Sequence, residues 1–253
     1  MNESNQEITP KTYQRIVPEI TVEVVTEEQY EKAKELGIKH IYYKNIVRRN
    51  NAKYIEPQEE MLVGGLGGIQ YYKDKRVTLV SDYSLNVTNA TSVALLSSLG
   101  VDRVTISEEI SKDNIQNLID TYVTTYHTNP NLELIIYGRS KLMHTHYCPL
   151  KRLGKCGDCK SHRFVLKDEF AAFPLLFNGD CTITILNSKT LNIIDELDQI
   201  SGVNYYGLRF TTESADTMEQ VIKLVKKKLN GELKSPSFDY RKETKGHFTK
   251  NPQ

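Results

Sequence analysis

The chain has 253 residues, with 33 Lys and Arg against 32 Asp and Glu, a net charge of +1. Hydrophobic residues make up 39% and charged residues 26%, so a core can form without disulfide support, and bulk electrostatics gives no sign of a nucleic-acid binder. No run approaches the ~18 apolar residues of a membrane span, and the polar stretch Met1–Thr9 lacks the apolar centre of a signal peptide. No membrane association is expected, and the expected location is cytoplasmic, where thiols stay reduced.

Residues 1–18 are polar and read as a flexible N-terminal arm. The alternating, β-branched run Ile20–Val25 predicts a strand. Thr26, followed by Glu27 and Glu28, starts a helix that Gly37 ends. Further strands are expected at Ile38–Tyr43, Met61–Val63, Val77–Val80, Val101–Ser107, Leu132–Tyr137, Thr182–Leu186 and Asn204–Phe210. Helices are expected from the Asn89 cap to Ser98, over 112–126, over 189–200 and over 214–229. Phe164–Leu166 and Phe173–Phe177 flank Lys167-Asp168-Glu169 as a hairpin. The sequons at Asn86 and Asn89 lack a secretory signal and read as a turn and a helix cap.

Strands alternating with helices across short connections predict βαβ units and a parallel sheet. About 250 residues is also the size of a (β/α)₈ barrel. The expected fold is α/β: a TIM-like barrel over 19–232, incomplete, with a cysteine-rich loop insertion. About seven strands suit the barrel. The eighth has no clear position, and the polar segment 44–60 is where it is missing. Residues 233–253 read as a polar C-terminal tail.

The four cysteines are Cys148, Cys156, Cys159 and Cys181, three of them within twelve residues. In a reduced compartment this grouping favours a metal over disulfides. The Cys156-Gly157-Asp158-Cys159 pair lets two thiolates face one ion, and Gly157 permits the turn. Lys151, Arg152, Lys155 and Lys160 would offset an anionic centre. Zinc and an iron–sulfur cluster both suit four thiolates, and spacing alone leans to zinc. Free thiols are the competing reading, and His144, His146 and His162 read as solvated loop histidines.

Polar residues collect at predicted strand ends, where barrels carry function: Ser81, Asp82 and Asn86; Glu108 and Glu109; Tyr137 and Arg139; Arg209 and Glu213. Asp82 and Asn86 serve equally well as caps. Adjacent residues point opposite ways on a strand, so only one of Glu108 and Glu109 faces the pocket, with Glu108 preferred. Arg139 suits bidentate binding of a carboxylate or phosphate, its alternative being a salt bridge to Glu108 or Glu109. Gly64, Gly65, Gly67 and Gly68 lack a phosphate-loop pattern and read as close packing. Tyr42-Tyr43 and Tyr71-Tyr72 suit base stacking and barrel packing equally. No Gly-x-Ser-x-Gly or His-Glu-x-x-His motif is present. Cys148 with His144 or His146 is the remaining nucleophile–base pair, incompatible with Cys148 as a metal ligand.

Several segments together resemble peptidase family U32, the collagenase-like peptidases. They are Leu62–Gly67, Ser81–Asn89, Val104–Ile110, Tyr137–Met143 with Tyr147-Cys148-Pro149 and the Cys156/Cys159 pair, Phe173–Leu175, Ile185–Ser188, Arg209–Glu213 and Gly246–Phe248. The resemblance covers residues 18–250. It implies a TIM-like barrel and, as in several members, a [4Fe–4S] cluster, here on Cys148, Cys156, Cys159 and Cys181, with zinc as the alternative. It resembles the RNA-hydroxylation branch, which implies hydroxylation of RNA bases or of a small aromatic substrate rather than proteolysis. RNA or a small anionic co-substrate is then a partner, as is a second chain completing the barrel. On this reading Glu108, Asp82 and Arg139 are catalytic, and Arg209, Asn86 and Tyr137 bind substrate. The alternatives are a peptidase with a Cys148 nucleophile and a non-catalytic, metal-stapled subunit.

Overall fold

The computed structural model describes residues 17–48, 54–160, 162–179, 181–232, 239 and 241–249. Most of the N-terminal arm and part of the C-terminal tail lie outside them.

In chain order the first elements are β1 (Glu19–Glu23), α1 (Glu27–Glu35), β2 (His40–Tyr42), β3 (Ile46–Val47) and β4 (Glu60–Val63). Then come α2 (Leu66–Tyr72), β5 (Thr78–Ser81), α3 (Ala90–Ser98), β6 (Arg103–Thr105), α4 (Lys112–Tyr126) and β7 (Leu132–Gly138). The cysteine region holds β8 (Lys141–Thr145), α5 (Pro149–Arg152), β9 (Phe164–Lys167), β10 (Ala172–Phe177) and β11 (Ile183–Leu186). The chain continues with β12 (Thr190–Asn192), β13 (Tyr205–Arg209), α6 (Ala215–Leu229) and β14 (Glu243–Thr244).

Eight parallel strands in the order β2-β1-β13-β7-β6-β5-β4-β3 form a nearly closed barrel. The eighth strand is β3, inside the segment the sequence left unassigned. Only three residues separate β2 from β3. The first ladders to β1 and the second to β4, so one interrupted run carries the chain across the gap. Asn45 patches that gap. Its Nδ2 donates to Glu60 O (2.8 Å) and Ile41 O (3.3 Å), and its Oδ1 accepts from Tyr43 N (3.0 Å). A side chain here supplies hydrogen bonds that an uninterrupted ladder would have made.

The helices form where caps and periodicity coincide. Thr26 and Gln29 make a capping box for α1. Asn89 accepts from Ser92 N at the start of α3 (2.9 Å), and Ser111 and Ser214 cap α4 and α6. α6 buries Ala215, Met218, Ile222 and Val225, one stripe at helical spacing.

Two expectations need correction. Residues 189–200 are not an α-helix: Thr190–Asn192 pairs antiparallel with β7, and Ile194–Gln199 is a 3₁₀ turn. Edge pairing with Tyr137 and Gly138 overrides the weak helical preference. The strand at 182–186 exists, as β11, but in a second sheet of order β8-β11-β10-β9, all antiparallel. The expected hairpin is β9–β10. β8 lies in the stretch expected as a loop insertion and is an edge strand of this sheet. Within the stretch read as a polar tail, β14 pairs with β12 and Phe248 is buried in the core.

Gly138 ends β7 at φ 132°, and a Cβ there would lie 2.5 Å from Arg209 O. Gly138→Ala is therefore expected to destabilise the protein by about 3 kcal/mol, combining left-handed strain with a backbone clash. The midpoint of urea unfolding checks this.

Candidate functional site

The C-terminal ends of the barrel strands deliver six charges to one mouth. Glu23 ends β1, Arg48 follows β3, Asp82 follows β5, Glu108 follows β6, Lys141 opens β8 and Arg209 ends β13. Arg48 holds Asp82 with both arms, Nε to Oδ2 at 3.2 Å and Nη2 to Oδ1 at 3.1 Å. The same Nη2 reaches Glu23 Oε2 at 2.8 Å. Lys141 Nζ donates to Glu23 Oε1 at 3.2 Å. Arg209 pairs with Glu108, whose second oxygen accepts from Ser140 Oγ at 2.7 Å. The Tyr83 ring lies under the Arg209 guanidinium at 4.5 Å and the Lys141 ammonium at 5.4 Å. Gly64 makes room for this arrangement, since a Cβ there would meet Ser84 Oγ at 2.8 Å and Arg48 Cα at 3.3 Å.

Burial opposes charge on Glu23, Asp82 and Lys141, and its balance with the neighbouring charges decides each outcome. Burial raises the Asp82 carboxyl, but Arg48 and Lys141 outweigh it and hold it well below the usual carboxylate range. Glu23 is likewise held low by Arg48 and Lys141 against the cost of burial. For Lys141 burial and the neighbouring Arg48 prevail over Glu23 and Asp82, and the amine falls to about 8. Arg209 is 1% exposed, and its Nε and Nη1 have no hydrogen-bond partner. Buried guanidinium donors are costly when unsatisfied, and Arg209 borders a small cleft that it shares with Glu23, Asp82 and Tyr83.

A second buried cluster fills the opposite end of the barrel. Arg103 pairs with Glu60 and with Glu133 (Nε to Oε2 3.1 Å) and lies 4.0 Å over the Tyr205 ring. Tyr42 donates towards Glu60 (2.9 Å), and His40 Nδ1 sits 2.7 Å from Glu60 Oε2. Burial raises the Glu133 carboxyl above its ordinary range despite Arg103.

Among the residues anticipated from sequence, Asp82, Glu108 and Arg209 meet at the mouth. Glu109 is exposed while Glu108 turns inward. Asn86 stands at the rim in left-handed conformation (φ 50°), accepting from Ser107 Oγ at 2.6 Å. Arg139 is elsewhere: its Nη1 donates to Asn187 O (2.8 Å) and to Ser188 O, which fastens the stem of the second sheet. Tyr137 is buried against Phe210, ring centroids 5.5 Å apart. Glu213 accepts from Thr211 N and Thr212 N and shapes its own loop. Glu23, Arg48, Tyr83 and Lys141 were not anticipated. A glutamate inside the β-branched run Ile20–Val25 was the available signal for Glu23.

The cysteines are all free thiols. Register puts their segments together. Thr145 pairs with Ile183, Ile183 with Phe177, and Leu175 with Phe164, so the end of β8, the β10–β11 turn and the start of β9 share one end of the sheet. Cys148 lies three residues beyond Thr145, Cys181 two before Ile183, and Cys156 and Cys159 precede Phe164. Arg163 Nη1 donates to Thr212 O at 2.6 Å and ties that end to the loop after β13. Among the described residues no three His, Cys, Asp or Glu side chains converge as a ligating group. Four thiols suit a soft metal in chemistry, and their segments share one end of the sheet. Among the described residues Cys148 has no histidine hydrogen-bond partner. His144 Nδ1 instead approaches Thr184 Oγ1 at 3.4 Å, and its ring meets His146 edge-on. No helix among the described residues is long and apolar enough to cross a membrane.

These features define an α/β barrel whose polar groups converge at the C-terminal mouth beneath a cysteine-bearing sheet. The sequence pattern of peptidase family U32 matches residues 54–251, and the chain belongs to that family. A solved structure described as that of the U32 peptidase Mk0906 is similar at 9% identity, over 84% of this chain and 100% of the other, with a TM-score of 0.42. No curated protein matches.

Arg48→Met is expected to cost about 3–5 kcal/mol, because it leaves Asp82 and Glu23 buried without their partner. The sign of the pH dependence follows. A carboxyl lowered in the folded state adds stability that is complete above its unfolded pKa, about 4, and is lost as pH falls through its folded value. Unfolding free energies of the wild type should therefore drop below about pH 4, more steeply than those of Asp82→Asn. Parallel curves would remove Asp82 from the ion network.

Proposed function

We propose that this protein is an enzyme whose active centre is the charged mouth, with Cys148, Cys156, Cys159 and Cys181 holding an iron–sulfur cluster beside it and zinc as the alternative metal. The reaction proposed is hydroxylation of an anionic aromatic substrate, either an RNA base or a small molecule. One observation carries this reading. Four cysteines on three segments share the end of a sheet that Arg163 ties to the loop directly after Arg209, whose Nε and Nη1 have no hydrogen-bond partner.

Bound there, a cluster would supply one-electron chemistry. The chain's own residues bind and orient. Arg209 Nε and Nη1 hold an anionic group of the substrate, while Glu108 and Ser140 fix the guanidinium plane. Tyr83 stacks beneath Arg209 and walls the cleft against water. Glu108 is the nearest carboxylate to a group held on Arg209 and is placed to carry a proton, whereas Asp82, locked by Arg48 and Ser84 Oγ (2.6 Å), keeps its charge and acts by position. Arg139 acts through structure, holding the stem of the cysteine sheet.

Protein purified without oxygen is expected to be brown and to carry about four iron and four sulfide per chain. Cys181→Ala should lose most of the iron while keeping the barrel's far-ultraviolet circular dichroism. Colourless protein with one zinc would end the hydroxylase reading and leave a structural staple. Peptide hydrolysis abolished by Cys148→Ala, with metal content unchanged, would replace it with the peptidase that the family is named for.

A further inference from the structure

A cavity of about 450 Å³ lies at the end of the barrel away from the mouth. Pro18, Pro130 and Val203, which precede β1, β7 and β13, line it, as does Leu229 at the end of α6. That volume suits a small organic ligand, and the function proposed above makes no use of it. The cavity lies outside the sheet. Tyr205 faces the barrel interior, with Arg103 4.0 Å over its ring, and a Cβ at Gly207 would lie 3.0 Å from Glu133 Oε1. Side chains alternate along a strand, so Tyr206 points outward, into the helical layer. There Ile119 of α4, Leu197 and Ile200 add apolar wall around it.

One end of the cavity is polar. Tyr206 is 4% exposed, and its hydroxyl has no hydrogen-bond partner among the described residues. A buried hydroxyl without a partner is costly. Burial and the nearby Asp198 carboxylate push this phenol up to about 12. Asp198 and Lys228 also line the cavity and form an ion pair. Two further polar side chains of the lining are occupied: Asn204 Oδ1 accepts from Leu132 N at 3.0 Å, and Ser201 Oγ donates to Gln116 Oε1 at 3.3 Å.

We propose that this cavity binds a small apolar molecule carrying one uncharged hydroxyl, of the size of a two-ring phenol, whose hydroxyl accepts from Tyr206 and donates to Asp198. The walls select the apolar body, and charge selects the head. Asp198 and Lys228 neutralise one another, so a carboxylate head would be set against Asp198 and an ammonium head against Lys228. A hydroxyl both donates and accepts and leaves the ion pair intact. The Asp198 side chain is 77% exposed at the rim and keeps acceptor capacity beside its bond to Lys228. The proposal is independent of the chemistry at the mouth.

The test is a fluorescence titration of the full-length protein with 2-naphthol near pH 7, where a phenolic hydroxyl is uncharged. The expected result is one saturable site per chain. Naphthalene, which lacks the hydroxyl, and 2-naphthoate, which meets Asp198, should each bind at least about tenfold more weakly. Tyr206→Phe should weaken 2-naphthol about tenfold and leave naphthalene unchanged. Asp198→Asn should narrow the gap between 2-naphthol and 2-naphthoate. Val203→Phe, which fills the cavity from its wall, should abolish saturable binding of all three probes. Its urea midpoint shows whether it is folded, and Tyr206→Phe, which removes no packing volume, carries the test if it is not. No saturable binding of 2-naphthol to the full-length chain, including a cavity filled by the chain's own residues 1–16, overturns the site. So does binding that Tyr206→Phe and folded Val203→Phe both leave unchanged. Naphthalene binding as tightly as 2-naphthol overturns the hydroxyl head, and tighter binding of 2-naphthoate overturns the choice of an uncharged one.

Discussion

The structure depends on Arg48. It follows the short strand β3, where the barrel is interrupted, and its guanidinium spans to Asp82 after β5 and Glu23 on β1. Ladder hydrogen bonds do not connect β2 to β3, so a buried charge bridge and the Asn45 amide hold the gap. Buried ion pairs add little net stability over apolar packing, but they are unforgiving of a missing partner. They consequently fix geometry, and here the geometry they fix is that of the mouth.

A typical barrel interior is layered with branched apolar side chains. This one carries ion clusters at both ends, Arg103 with Glu60 and Glu133 at one and Arg48, Lys141 and Arg209 with three carboxylates at the other. The two ends differ in consequence. Arg103 has two carboxylates and two tyrosines around it. At the mouth, Arg209 retains unfilled donors and Lys141 is pressed by like charge.

The cysteine sheet is tied to the barrel at both ends. It springs from the end of β7 through Gly138 and Arg139, its stem is closed by Asn187 N to Ser140 O (2.8 Å), and its far end returns to the mouth through Arg163. Lys141 belongs to the stem and the cysteines to the far end. A metal closing the cysteine loops would lie at the sheet's far end, beside the loop after β13.

Periodicity and caps in the sequence were enough to place α1, α3, α4 and α6, seven barrel strands and the β9–β10 hairpin, because those elements follow from local hydrophobic spacing and side-chain caps. Charged residues at strand ends likewise pointed to Asp82, Glu108 and Arg209. The sequence could not show β3, whose two residues carry too short a pattern, or β8, whose five residues lack a clear alternation and are a strand through pairing with β11. It could not separate Arg139, whose Nη1 is spent on carbonyls 48 and 49 residues away, from Arg209, which pairs with Glu108 at the mouth. Sequence by itself determined which residue types stand where strands end. Tertiary structure alone decided which of them meet, because partnership among buried charges depends on distances that chain order does not encode.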